Sequence, residues 1–100
     1  MTTTIKEQDG TLVATFEGRL DTAAAPEAEK AMAPLTQGAT QDIVLDCNRL
    51  EYISSSGLRL FLGVLKAAKA QGRHVYLTGL NPDLRNVFTI TGFINLFELL

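Results

Sequence analysis

Tyr52-Ile53-Ser54-Ser55-Ser56-Gly57-Leu58-Arg59-Leu60-Phe61-Leu62 is the stretch on which the fold turns. A strand-like pair, Tyr52-Ile53, runs into three small polar residues, and an apolar pattern of helical period begins directly behind them. A serine hydroxyl accepts an N–H of the first helical turn, so one of the three serines is expected to cap a helix running from about Ser56 to Gln71. Leu58, Phe61, Leu62 and Leu65 fall on one face of it, Leu60 and Val64 widen that face, and Arg59, Lys66 and Lys69 lie off it. Gly72 closes it. Three consecutive small polar residues where a strand meets a helix either serve only to cap it or mark a surface that has to stay small and accessible.

Outward from there, strands and helices alternate. Ile43-Val44-Leu45 reads as a short strand covered on both faces, with Asp46-Cys47-Asn48 leading out of it. Val75-Tyr76-Leu77 reads as a second buried strand. Asn81-Pro82-Asp83 starts a helix with a capping side chain, a proline at the first position and an acid in the first turn. Leu84, Val87 and Phe88 form that helix's inner face, Gly92 ends it, and Leu96 to Leu99 can form a last strand. At the other end, strands around Thr3–Glu7 and Thr11–Glu17 flank Asp9-Gly10, a dipeptide suited to a tight hairpin turn. Leu12, Ala14 and Phe16 give the second strand an apolar face, and Gly18 is expected to end it. Asp21-Thr22 then caps a helix of about ten to fourteen residues carrying Ala28, Ala31, Met32 and Leu35, with Pro26 in its first turn and Thr36-Gln37-Gly38 as its exit. The order β-β-α-β-α-β-α-β predicts an α/β fold: a single mixed, mostly parallel sheet with an N-terminal hairpin.

The 100 residues suit one domain, residues 1–100, and the hydrophobic fraction of 46% suits a packed core. Net charge is −2 and the nine Lys and Arg residues are scattered, so no nucleic-acid stripe or polybasic membrane patch is expected. The polar N-terminus lacks a signal-peptide core. The stretch Leu58 to Ala70, broken by Gly63, Lys66 and Lys69, is too short to enter a bilayer as a span. With Cys47 as the sole cysteine, no intramolecular disulfide forms, and a cytoplasmic setting is expected. Neither the dinucleotide glycine pattern nor a P-loop is present. Cys47 and His74 alone do not make a zinc site, and His74 lacks the G-x-S-x-G of a hydrolase. Asp46, at the end of an apolar run, is either a functional carboxylate or a loop acceptor; Cys47 reads as a small buried hydrophobe. No enzyme activity, cofactor or metal is expected.

Ile43-Val44-Leu45-Asp46 followed by Tyr52-Ile53-Ser54-Ser55-Ser56-Gly57-Leu58 resembles the signature of the STAS domain family, the bacterial anti-sigma factor antagonists. Gly18-Arg19-Leu20-Asp21, Thr91-Gly92-Phe93 and Leu96-Phe97 resemble further parts of the family pattern, so the resemblance spans nearly the whole chain in order. It implies that Ser55 is the phosphorylated residue, with Ser54 and Ser56 as alternatives, and that Ser56 and Gly57 complete the motif. Asp21 matches a family acid near the partner interface, and Arg59, four residues after Ser55, is expected to lie beside it. Ser54 stands where the family usually has Asp. The implied partners are an anti-sigma factor that is also a serine kinase, and a serine phosphatase. The unmodified domain would sequester the first and free a sigma factor. A STAS domain that is never phosphorylated, acting as a scaffold or a transporter accessory, is the alternative.

Overall fold

A computed structural model describes residues 1–37 and 40–100. Two strands open the chain, β1 (Thr2–Gln8) and β2 (Thr11–Leu20), paired antiparallel. Asp9 and Gly10 between them have φ of 53° and 80°, the pair of positive values a type I′ hairpin turn requires. Next come α1 (Ala25–Ala31), α2 (Ala33–Thr36), β3 (Asp42–Ile53), α3 (Ser55–Ala70), β4 (Val75–Thr78) and α4 (Pro82–Ile90). A 3₁₀ turn, Phe93–Asn95, precedes the short β5 (Glu98–Leu99).

The sheet order is β1-β2-β3-β4-β5, with every pair after the hairpin parallel. Successive crossovers therefore step the same way, and right-handed connections then stack the helices on one face. The register confirms it. Leu12, Ile43 and Val75 stand side by side, as do Ala14, Leu45 and Leu77, and these rows belong to or pack against the one core. The alternate rows, Val13–Val44–Tyr76 and Thr15–Asp46–Thr78, are only half-buried. The Ile43-Val44-Leu45 segment is thus covered on one face, not on both. Phe16, Phe61, Phe88 and Phe97 run through the core with successive ring centroids 5.0, 6.1 and 6.3 Å apart.

The α/β class, the mixed sheet and the hairpin are as the sequence implies; several boundaries are not. The helix expected after Asp21 is two pieces, because Pro34 has no N–H to carry the helix through Met32. Its expected exit reaches Gly38, which lies outside the described residues. Strand β2 continues past Gly18 to Leu20. Gly18 takes φ 103°, a conformation side chains disfavour, on β2 beside a register shift. Strand β3 does not end at Leu45. It runs twelve residues, and Asp46-Cys47-Asn48 lie within it. Between Thr15/Glu17 and again between Gly18/Arg19, β3 takes one residue more than β2. Those two bulges turn the period-two burial of Ile43, Leu45 and Cys47 into the period-three burial of Cys47, Leu50 and Ile53. On α3, Val64 is fully buried and Leu62 only half-buried, and β5 is shorter than the expected Leu96–Leu99.

Candidate functional site

The long β3 delivers the three serines to the start of α3, and each ends in a different environment. Ser54 is the N-cap, with extended dihedrals of −87° and 172°; its Oγ accepts the Gly57 amide N–H at 3.2 Å. Its own N–H donates to the Leu20 carbonyl at 2.9 Å, tying the end of β2 to the head of α3. Ser54 is 8% exposed and the only buried polar residue among those described. Ser55 opens the helix and is exposed; Ser56 is half-buried. The amides of Ser55 and Ser56 belong to the first turn, where helix geometry provides no carbonyl partner. The expected start at Ser56 is therefore one residue late, and the cap falls on the first serine.

Gly57 is there because nothing larger fits. A Cβ on it would stand 2.7 Å from Ile53 Cγ1 and 2.8 Å from Leu20 Cγ, both core side chains. Arg59 is exposed, one turn beyond Ser55, with no ion pair among the described residues. Asp21 is half-buried and its Oδ1 accepts the Ala24 N–H at 2.9 Å. It thus caps the turn before α1, whose own N-cap position, Ala24, has no capping side chain.

Beside this cluster lie two residues that pattern reading passes over. Arg19 and Tyr52 are neighbours in the β2–β3 register, and the Arg19 guanidinium carbon sits 4.4 Å from the centroid of the Tyr52 ring. The signal in the sequence is a large aromatic two residues before the capping serine, at a strand end where a core residue would otherwise be expected.

The other candidates resolve as structural. Asp46 Oδ1 accepts both the backbone N–H and the side-chain Nδ2 of Asn48, the loop-acceptor role within a strand. Cys47 is fully buried, and its thiol pKa is pushed up to about 12, first by burial and then by the neighbouring Asp46 carboxylate. His74 is exposed and pairs with Glu98 at 2.7 Å. Among the described residues no cluster of three or more His, Cys, Asp or Glu could hold a metal ion, and no helix is long and apolar enough to cross a membrane. The sheet also lacks the reversal of strand order that opens a ligand crevice in doubly wound α/β folds.

The family model for the STAS domain matches residues 2–100. The chain belongs to the STAS domain family. It is 37% identical over 99 residues to the protein BtrV of Bordetella bronchiseptica, covering 99% of this chain and 85% of that one. To the anti-sigma-B factor antagonist of Staphylococcus aureus it is 34% identical over 82 residues, covering 82% and 76%. Among solved structures it superposes on the Bacillus anti-sigma factor antagonist SpoIIAA in both the unphosphorylated and the phosphorylated form. Both give a TM-score of 0.75, with identities of 24% and 25%; coverage is 99% of this chain in each, and 87% and 91% of the respective SpoIIAA chains. STAS domains are regulatory and non-catalytic, and the chain is one of them.

Proposed function

We propose that this STAS domain is a cytoplasmic anti-sigma factor antagonist switched by phosphorylation of Ser55. Unmodified, it sequesters an anti-sigma factor that is also its serine kinase, and so frees a sigma factor. Phosphorylated, it releases that partner until a serine phosphatase restores it. The observation that carries the choice of residue is the difference among the serines: Ser55 is exposed at the head of α3, Ser54 is buried in the cap and Ser56 is half-buried. Ser54 as an alternative acceptor would have to give up its hydrogen bond to Gly57 and leave a buried site.

A phosphate on Ser55 adds about −1.5 to −2 charge at a helix N-terminus, where unpaired amides and the macrodipole favour an anion. Arg59 is positioned one turn on to pair with it. The domain itself therefore tolerates the modification. The partner does not: covering a phosphate with a surface built for a serine hydroxyl, without a matching cation, costs several kcal/mol. Asp21, Ser54, Ser56, Gly57 and Arg59 make up, with Ser55, the surface the partner covers, Ser54 and Gly57 acting by shaping it.

The test is incubation with a purified anti-sigma factor kinase and ATP, followed by mass spectrometry. Wild type and Ser54→Ala gain one phosphate and Ser55→Ala gains none. Ser55→Glu loses affinity for the kinase. A wild-type chain that binds the kinase but is never phosphorylated would instead be a scaffold or transporter-accessory STAS domain.

A further inference from the structure

The two edges of the sheet are finished differently. At one, β5 is two residues long and its Glu98 is paired with His74. At the other, β1 runs seven residues in unbroken register with β2, without a proline or a bulge to blunt it. An edge strand turns alternate N–H and C=O groups away from the sheet, and proteins usually shield such an edge with charges, prolines or bulges. Here Thr2-Thr3-Thr4-Ile5 is uncharged and wholly β-branched, and the charges are held back to Lys6 and Glu7. The core also runs out at this edge. Ile5, Ala14, Leu45 and Leu77 form one row across four strands; the last three are fully buried, whereas Ile5 packs against the core and stays half-buried.

A second copy of the strand fits this edge. A two-fold axis perpendicular to the sheet keeps both helix layers on the same side, so antiparallel partners across it have residue numbers of even sum. Centring the axis on Ile5 pairs all seven residues: Ile5 with Ile5, Thr4 with Lys6, Thr3 with Glu7 and Thr2 with Gln8. No like charges meet in that register. Moving the axis to Lys6 or to Glu7 shortens the pairing and sets like charges directly opposite, which is destabilising. The Ile5 pair lies on the helix side and carries the apolar row from one copy into the other.

We infer that two copies of this chain join β1 to β1 into one continuous sheet centred on Ile5. The contact is a single strand pair, so the dimer is reversible and its interface small. Ser55 follows β3, two strands in from the edge, so the Ser55 of each copy stays open and the pairing does not rest on the phosphorylation switch. Asp21, Glu27 and Glu51 line the cleft between α1 and the Thr2–Thr3 end of β1, and each copy brings its Glu7 towards the other's cleft. Salt screens that repulsion, so added NaCl is expected to tighten the dimer.

The experiment is sedimentation equilibrium of the full chain from low micromolar to submillimolar concentration, with hydrogen exchange of the β1 amides at both ends of the range. Wild type passes from monomer to dimer, and protection of β1 rises with it while β3 and β4 are unchanged. Thr4→Lys, at an exposed position, meets the second copy's Lys6 on both sides of the axis and weakens the dimer about tenfold. Adding Lys6→Glu to it turns both contacts into ion pairs and brings association back to within about threefold of wild type. Ser55→Glu dimerises like wild type. A wild-type chain that stays monomeric to submillimolar concentration leaves the edge to water or to another protein and overturns the pairing. So does a dimer that Thr4→Lys changes by less than about twofold, or one that the double variant does not restore.

Discussion

Ser54 and Ser55 are chemically identical neighbours with different work to do, and single substitutions separate them. Ser54→Ala removes the cap and is expected to cost about 1 kcal/mol of stability in a denaturant melt, within the usual span for caps, without changing the phosphorylation proposed for Ser55. Gly57→Ala gains helix propensity of about 0.8–1 kcal/mol but drives a methyl into Ile53 and Leu20. Overpacking of that kind costs about 1–3 kcal/mol, so the net change should be destabilising by up to about 2 kcal/mol. Cys47 carries a pH signature. Its folded pKa of about 12 exceeds the ordinary 9.0, so the unfolded chain ionises first. The stability this gives is whole below pH 9 and is lost as pH rises towards 12, at about 1.4 kcal/mol per unit. Cys47→Ala is less stable at neutral pH because it leaves a cavity. That deficit should shrink, then reverse, between pH 9 and 11 when denaturant midpoints of the two proteins are compared. The buried thiol should also resist alkylation until the protein unfolds.

Helix α3 and strand β3 are the elements that build the site. Phe61 in the middle of α3 touches the rings of both Phe16 and Phe88. Phe61→Ala is expected to cost about 3–5 kcal/mol, a large part of what a domain of this size has. Leu62→Ala, at a half-buried position, should cost well under half as much by the same measurement. The existence and extent of α3 were legible because its apolar spacing is strong and serines precede it. Its true stripe, with Val64 in place of Leu62, was not, because the 3.6-residue period leaves several leucines near the edge of the buried face. Strand β3 was legible only at its two ends, Ile43–Leu45 and Tyr52-Ile53. Between them its residues are mostly polar and spaced by bulges, which removes the alternation that identifies a strand. The break at Met32 did have a local signal in Pro34.

For the molecule as a whole, the proposed phosphorylation of Ser55 should leave the fold in place. SpoIIAA superposes on this chain equally well with and without its phosphate, and the α3 N-terminus already suits an anion. In backbone NMR spectra of the phosphorylated domain, shift changes should be confined to the head of α3 and the adjoining Leu20–Ala24 segment; changes across the sheet would contradict a switch that works by surface charge. Two apolar side chains outside the α3 head are left in solvent: Ile90 is 76% and Leu100 71% exposed, while Phe97 between them in the chain is buried. Ile90→Lys should therefore leave stability within about 0.5 kcal/mol and leave partner affinity unchanged. The sequence alone determined the α/β class, the parallel order of elements and the strand-to-helix corner at the serines, because periodicity, caps and turn residues are local properties. Which serine faces solvent was decided by the tertiary structure. It depends on two bulges in β3 and a hydrogen bond between Ser54 and Leu20, contacts between residues more than thirty positions apart. The same long-range register puts Arg19 on Tyr52. Spacing along the chain predicts what a residue's neighbours are on its own element, and only pairing between elements decides what stands across from it.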